Sequence, residues 1–483
     1  MNIGELSKNT FSDKDKPIWE YELLPDGNAR VTAYNGGDTD VVVPAEIDGH
    51  TVVSIRGMSR YFLEELHTRS VTLPDTLREI GRMAFSNLKR LETIKLPDSL
   101  ESIGDSAFWH CESLERPVIP ESVKQIAHSA FLGCRSMADK DGFVIVRDTL
   151  YDYFGIKSDI TVPDNVKIIS RSAFTDALRT DGVGTAVKLP DGLEEIMDAA
   201  FAGGINLKSI NIPPSVRHIG DHVFYHCKGL ADSDGFVVVN GVLYDYVGEK
   251  TDVVVPEGVT GIDVMAFAYN EFITSVKLPE SVKDIPFNAF SCCRSLADEN
   301  GLVIVDGVLY KVFDEYVRHR HYGVLTIPSG VTEIRRGAFD DTKFVRHIKM
   351  PDPMPKIEDG TFLDRINLGD GDGFVIFDGI LYAYVGIDEE YWDEDDFLFD
   401  ESMVDDRIII PEGVREIGYC AFAGWNEITS VELPDTVKKI GVGAFRGCTS
   451  LTRINLDCVE EIGEDAFLHC PVQSEAKKRF PAV

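Results

Sequence analysis

Apolar and polar positions follow one recurring figure along most of this chain, Leu-x-x-Ile-x-Leu-Pro-x-x-Leu-x-x-Ile-Gly-x-x-Ala-Phe. It reads in full from Leu91 to Phe108 and returns from Leu207 to Phe224 and from Ile428 to Phe445. The period is 23 residues. Phe85, Phe108, Phe131, Phe174, Phe201, Phe224, Phe267, Phe290, Phe339, Phe362, Phe422, Phe445 and Phe467 mark thirteen copies, twelve of them with a proline eleven residues before the ring. The last copy has Asp457 in that role. A repeat of this length signals a solenoid, in which one copy is one coil and no coil can bury its apolar side alone.

Each coil reads as three short sides. In Ile-x-Leu-Pro the alternation is that of a strand buried on one face. Proline cannot donate to a ladder, so at a recurring position it marks the strand's end and a corner. Leu-x-x-Ile-Gly predicts a second extended side. Ala-Phe-x-x-Cys has room for a single helical turn, with its phenylalanine plugging the interior. The site after the isoleucine is glycine at Gly81, Gly104, Gly220, Gly418, Gly441 and Gly463, but Met197, Asp263, Pro286, Arg335 or Glu358 elsewhere. Proline there requires negative φ, so glycine is expected to be a preference rather than a need.

Stacked at ~4.8 Å, about fourteen coils, counting a degenerate first one around Pro44, would form an arc of about 65 Å. The expected fold is a right-handed, β-rich repeat solenoid with a parallel sheet on its concave face and short helical turns. It would occupy residues 41–470, after an N-terminal β-hairpin cap over 1–40 and before a C-terminal tail over 471–483. In the cap, Trp19 to Leu24 and Ala29 to Tyr34 flank the turn Pro25-Asp-Gly-Asn28.

Four intervals between phenylalanines exceed the period by 20 residues or more, placing insertions near 139–157, 232–250, 298–322 and 370–406. Each carries two β-rich runs, as in Phe236-Val-Val-Val239-Asn-Gly-Val-Leu-Tyr244, joined by Asn-Gly or Asp-Gly except in the first, which has Arg147-Asp148. These predict β-hairpins with tight primed turns. Tyr151, Tyr153, Tyr244, Tyr246, Tyr382 and Tyr384 are expected to pack on the adjacent coil. An Asp-x-Asp-Gly run opens the hairpins at Asp139, Asp232 and Asp370, and Asp298 with Asn300 opens the third. It looks like the start of a calcium loop, but Leu150 and Leu243 stand where the loop needs glutamate, so these residues read as turn formers. The fourth insertion runs on through residues 388–406 with eleven acidic residues. That stretch reads as a solvated loop, or else as a docking site for a basic partner or Ca²⁺ built on Tyr391, Trp392, Asp395, Asp396 and Phe397.

The repeat from Leu73 to Cys470, with its Gly-Val-Leu-Tyr insertions, resembles the BspA-like, or type 5, bacterial leucine-rich repeats. The resemblance implies a leucine-rich-repeat fold and a non-catalytic role in protein binding or adhesion at a cell surface. It carries over no catalytic residue. Departures are Met58 to Phe62 in the first coil, and Thr361 and Val223 where alanine is usual.

Composition narrows the partners. With 81 acidic against 48 basic residues the net charge is -33, which repels nucleic acid and anionic membrane faces. No run is long and apolar enough for membrane insertion. Residues after Met1 lack the basic start and apolar core of a secretory signal, which predicts a cytoplasmic chain as the sequence stands; the resemblance implies instead a secreted or cell-surface one. Nine cysteines, with no Cys-x-x-Cys, predict neither a disulfide framework nor a zinc site. Cys111, Cys134, Cys227, Cys293, Cys448 and Cys470 share one column and read as small buried thiols, with 111/134 and 448/470 the pairs able to oxidise if coil spacing allows. Arg318-His-Arg-His321 reads as a solvated basic spot. Hydrolase, metalloprotease and nucleotide motifs are missing, so no enzyme, cofactor or metal is expected.

Binding should use the outward strand face, formed by residues two and four before each proline. The candidates are Lys95, Arg116, Lys188, Asn211, Lys277, His347, Lys349, Arg407, Glu432 and Arg453. Lys95, Lys188, Lys277 and Lys349 are cations on an anionic molecule and suit an acidic protein or glycan. The partner expected is a protein or surface ligand, with carbohydrate binding or a structural surface role as the alternative, and the reading is compatible with a monomer.

Overall fold

In a computed structural model, the chain is described for residues 18–57, 67–179, 185–315, 323–340, 342–363, 368–370, 372–385 and 406–480. It divides into two compact units, Met1–Val247 and Gly248–Val483. Both are stacks of three-sided coils.

The first side of a coil is a short parallel strand. In the first unit Asp40–Val42, Ser70–Thr72 and Thr93–Lys95 form one sheet, and Asp159–Thr161, Thr185–Lys188 and Leu207–Asn211 another. Each three-residue strand buries its central residue and exposes the last, as alternation requires. The recurring proline then opens a turn: Leu77 N–H donates to the Pro74 carbonyl and Leu100 N–H to that of Pro97. Two-residue strands such as Glu79–Ile80, Ser102–Ile103 and Gln125–Ile126 form the second side, a second parallel column.

The third side is less regular in conformation but as fully bonded. Along it, Met83, Phe85 and Asn87 donate their N–H groups to the carbonyls of Asp105, Ala107 and Trp109 on the next coil. Most coils place left-handed residues two before and two after the phenylalanine, Met83 and Asn87 in one coil and Ser106 and His110 in the next, while the coils of Phe131, Phe174 and Phe290 have one, at Gly133, Ser172 and Cys292. Each non-glycine there costs roughly 1 kcal/mol, offset by the inter-coil bonds it permits. Glycines in these columns, Gly133, Gly203, Gly337, Gly360 and Gly443 among them, were the legible trace of that demand.

The glycine after the isoleucine has a different cause. As expected, Gly81, Gly104 and Gly441 are not left-handed. They are nevertheless more than a preference, because a Cβ on Gly104 would lie 2.7 Å from the Gly81 carbonyl carbon and on Gly463 2.5 Å from Val442 N. Adjacent coils touch backbone to backbone at this corner.

Inside, the phenylalanines stack. Phe85, Phe108 and Phe131 follow one another at 5.5 and 5.3 Å with near-parallel rings. Phe174, Phe201 and Phe224 do the same at 4.8 and 5.6 Å, and Phe422, Phe445 and Phe467 at 5.0 and 5.4 Å. All are buried, in continuous cores that also hold the strand and corner residues.

The insertions join this stack. Phe143–Val146 and Thr149–Tyr153 make an antiparallel hairpin, and the second strand then pairs in parallel with Ile168–Ile169, placing Leu150 beside Ile169. Val308–Val312 and Ile380–Tyr384 join the second column of the other unit likewise. Tyr151 meets Phe131 edge-on at 5.3 Å, while Tyr153 continues the stack to Phe174 at 5.4 Å. In the other unit Tyr382 and Tyr384 serve Phe362 and Phe422 in the same way. An insertion is thus a coil with its first side replaced. The expected parallel strand column is consequently cut between 275–277 and 324–326, which lie in separate sheets; the strands at 93–95 and 159–161 also lie in separate sheets, with Pro117 already removing the strand from the coil that follows 93–95.

Turn chemistry follows the sequence. Asn240-Gly241, Asp306-Gly307 and Asp378-Gly379 have positive φ at both residues, as a type I′ turn requires, and Arg147 supplies the first left-handed residue in their stead. Asp139, Asp232, Asp298 and Asp370 each accept two backbone N–H groups through Oδ1, for example those of Asp141 and Phe143 at 2.9 and 3.0 Å. They are turn formers.

The N-terminal hairpin, Trp19–Leu23 with Ala29–Tyr34, repeats the same module. Its second strand pairs in parallel with His50–Ile55, and Trp19 packs on Tyr34 at 4.5 Å as Phe143 packs on Tyr153 at 4.7 Å. In both, a glycine two residues later lies against the tyrosine: a Cβ on Gly36 or Gly155 would fall about 2 Å from its hydroxyl oxygen.

Candidate functional site

The outward residue two places before each proline stands in register with its neighbours. Thr72 faces Lys95; Thr161, Lys188 and Asn211 align; Val254 faces Lys277; Thr326 faces Lys349. All four lysines are exposed, and among the described residues none has an ion pair. Some lysines elsewhere do, such as Lys167 with Glu194 at 3.0 Å and Lys439 with Glu416 at 3.0 Å, while others, Lys208 and Lys283 among them, are likewise without an ion pair among the described residues. The cause is the register, which sets threonine, valine or asparagine beside each strand lysine and no carboxylate. Val42, Val118, Val254 and Ile409 are also exposed in this column, Val118 to 87%.

The remaining candidates are partly committed. Asn211 accepts the Leu189 N–H at 2.9 Å through its side chain, where other coils use a main-chain carbonyl at the end of the ladder between adjacent strands, and Asn455 does the same for Leu433 at 2.6 Å. Arg116 donates to the Met137 carbonyl at 2.9 Å, beside Pro117 and outside any strand. Arg407 and Glu432 pair with each other. His347 and Arg453 are exposed. The insertions separate the lysines: Lys95 and Lys188 lie in different sheets of one unit, and Lys277 and Lys349 in different sheets of the other. Tyr391, Trp392, Asp395, Asp396 and Phe397, like His319 and His321, lie outside the described residues.

The cysteine column is structural. Each thiol donates to the carbonyl of the preceding coil's phenylalanine: Cys111 to Phe85 and Cys134 to Phe108 at 3.1 Å, Cys448 to Phe422 at 3.0 Å. Burial pushes the thiols of Cys134, Cys227 and Cys293 up to about 12, and all nine cysteines are free. Among the described residues no group of three or more His, Cys, Asp or Glu is gathered to hold a metal, and no helix is long and apolar enough to cross a membrane.

One surface feature escaped the strand-face reasoning, a cleft lined by Phe287, Arg335, Arg336, Lys356 and Asp359. Its signal was the run of Pro286, Arg335 and Glu358 in the usual glycine position of three successive repeats.

The family model described as BspA type Leucine rich repeat region (6 copies) matches residues 57–178, 144–234, 242–369 and 395–477. A T. pallidum Leucine Rich Repeat protein of known structure is 32% identical, over 44% of this chain and 89% of its own, with a TM-score of 0.29. A leucine rich cell surface protein from Faecalibacterium prausnitzii is 22% identical over 92% of this chain and 95% of its own, TM-score 0.31. A leucine-rich repeat protein from Bacteroides ovatus is 20% identical over 94% and 91%, TM-score 0.30. No curated protein matches the chain.

Proposed function

The chain belongs to the BspA type leucine-rich-repeat family, and from that premise we propose that it is a non-catalytic binding module, a protein-interaction or adhesion unit that receives an acidic protein on the outward faces of the first-side strands in each of its two units. The four unpaired lysines carry this reading. On a molecule of net charge -33, a free ammonium has many carboxylates to find. Leaving Lys95, Lys188, Lys277 and Lys349 unpaired beside exposed β-branched residues keeps both charge and apolar area available to a partner. The acidic remainder of the surface excludes acidic partners that approach elsewhere. In a family of binding proteins, the setting that suits such a unit is the cell surface.

Affinity capture with the whole chain, repeated with Lys95→Glu, Lys188→Glu, Lys277→Glu and Lys349→Glu combined, tests the reading. A protein retained by the native chain should be lost or weakened by at least about tenfold, and its binding should fall with salt. Reversing the paired Lys438 and Lys439 instead should leave capture intact. Equal retention by the fourfold variant would remove this face as the binding surface.

A further inference from the structure

Within the unit Gly248–Val483, the corner where glycines usually bring coils into backbone contact is occupied by Pro286, Arg335 and Glu358. These side chains hold the surface open as a cleft of about 560 Å³. That volume falls in the usual range for small-ligand sites.

Its walls differ from the rest of the surface. Phe287 is 42% exposed, and its ring rests on Gly337, where a Cβ would come within 2.7 Å of Cδ2. The ring is therefore held along its Cδ2–Cε2 edge, and much of the residue is left to solvent. Arg335 forms a rigid floor: it pairs with Asp284 at 2.7 Å, Glu358 at 3.1 Å and Glu333 at 3.4 Å, and donates to the Ile285 carbonyl at 2.8 Å. Lys356 is held by Glu333 at 3.1 Å. Two charged groups remain. Among the described residues the Arg336 guanidinium, lying over Gly360, and the Asp359 carboxylate have no ion-pair partner.

We propose that this cleft binds a neutral hexopyranose unit of a glycan. Three cations line it with two carboxylates, and Asp284 and Glu333 stand behind, so on a strongly anionic protein it selects neither strong anions nor cations. The ligand it suits is uncharged, apolar on one face and rich in hydroxyls. A pyranose lays its C–H face on the Phe287 ring, whose π face attracts the slightly positive hydrogens. Its hydroxyls accept from Arg336 and donate to Asp359, planar groups able to take two hydrogen bonds each. This site is independent of the strand-face lysines.

Saturation-transfer NMR of the whole chain, with the methyl pyranosides of glucose, galactose and mannose, then cellobiose and lactose, tests the proposal. At least one probe should show transfer concentrated on the C–H groups of one ring face, with Kd of roughly 1 mM for a single sugar. Phe287→Ala should weaken it by tenfold or more, Phe287→Tyr should keep it, and Arg336→Ala or Asp359→Ala should cost several-fold. The fourfold lysine variant should bind sugar like the native chain, which separates this site from the protein-binding face. No transfer from any probe at about ten times that concentration, or equal binding by Phe287→Ala, overturns the assignment.

Discussion

The carboxylate of Asp152 accepts the backbone N–H of Gly133 at 2.7 Å. In an uninterrupted part of the stack that N–H would find a carbonyl on the next coil, as His110 finds Leu132 at 2.8 Å and Gly203 finds Tyr225 at 2.7 Å. The hairpin has no such carbonyl, and its aspartate takes the place; Asp245 does so for His226 at 2.8 Å.

Burial pushes the Asp152 carboxyl up to about 7, against the pull of the two N–H groups it accepts. The folded state therefore holds a proton that the unfolded chain releases between roughly pH 4 and 7. Stability should be greatest below that window and fall as pH rises through it, with ionisation of Asp152 costing on the order of 4 kcal/mol across the whole window. Asp152→Asn cannot titrate but can still accept one N–H. Denaturation at pH 5 and pH 8 should show a smaller drop for the variant than for the native chain, and equal drops would contradict the assignment.

Phe108 lies between two rings in the core and is fully buried. Truncation to alanine removes both contacts and leaves a cavity that the inter-coil ladders hold open. A loss of about 3 to 5 kcal/mol is expected in denaturant unfolding. Tyr151→Phe keeps the edge-on contact to Phe131 and should cost far less.

The glycine corners offer a paired comparison. Gly104→Ala places a methyl 2.7 Å from two backbone atoms of the preceding coil, and backbone cannot step aside cheaply. It should destabilise by more than about 1 kcal/mol. Gly192→Ala meets no atom within 4 Å and needs no left-handed φ, so melting should show it neutral or slightly stabilised.

Thiol labelling of the folded chain should sort the cysteines. Cys292, Cys420 and Cys458 are partly exposed, while the six in the repeat column are buried and bonded to carbonyls. Brief treatment with iodoacetamide at neutral pH, followed by peptide mass mapping, should modify those three first. Early modification of Cys111 or Cys134 would show that the coils open more readily than the ladders imply.

Sequence periodicity determined the coil, its buried phenylalanine, its proline corner and the hairpins, because each rests on local geometry or on a side chain's own hydrophobicity. Asp139 as a turn former and Asn240-Gly241 as a primed turn were legible for that reason. Residue identity also marked the strand lysines as outward. Whether those lysines stay unpaired depended on which residues the register brings beside them, 23 or more positions away in the chain. Only the tertiary structure decided that Asp152 replaces a missing carbonyl, that Gly104 is required by a neighbour's backbone, and that bulky residues at 286, 335 and 358 hold a cleft open. Each of these arises where one coil meets another, and contact between coils is a property of the stack that no single repeat encodes.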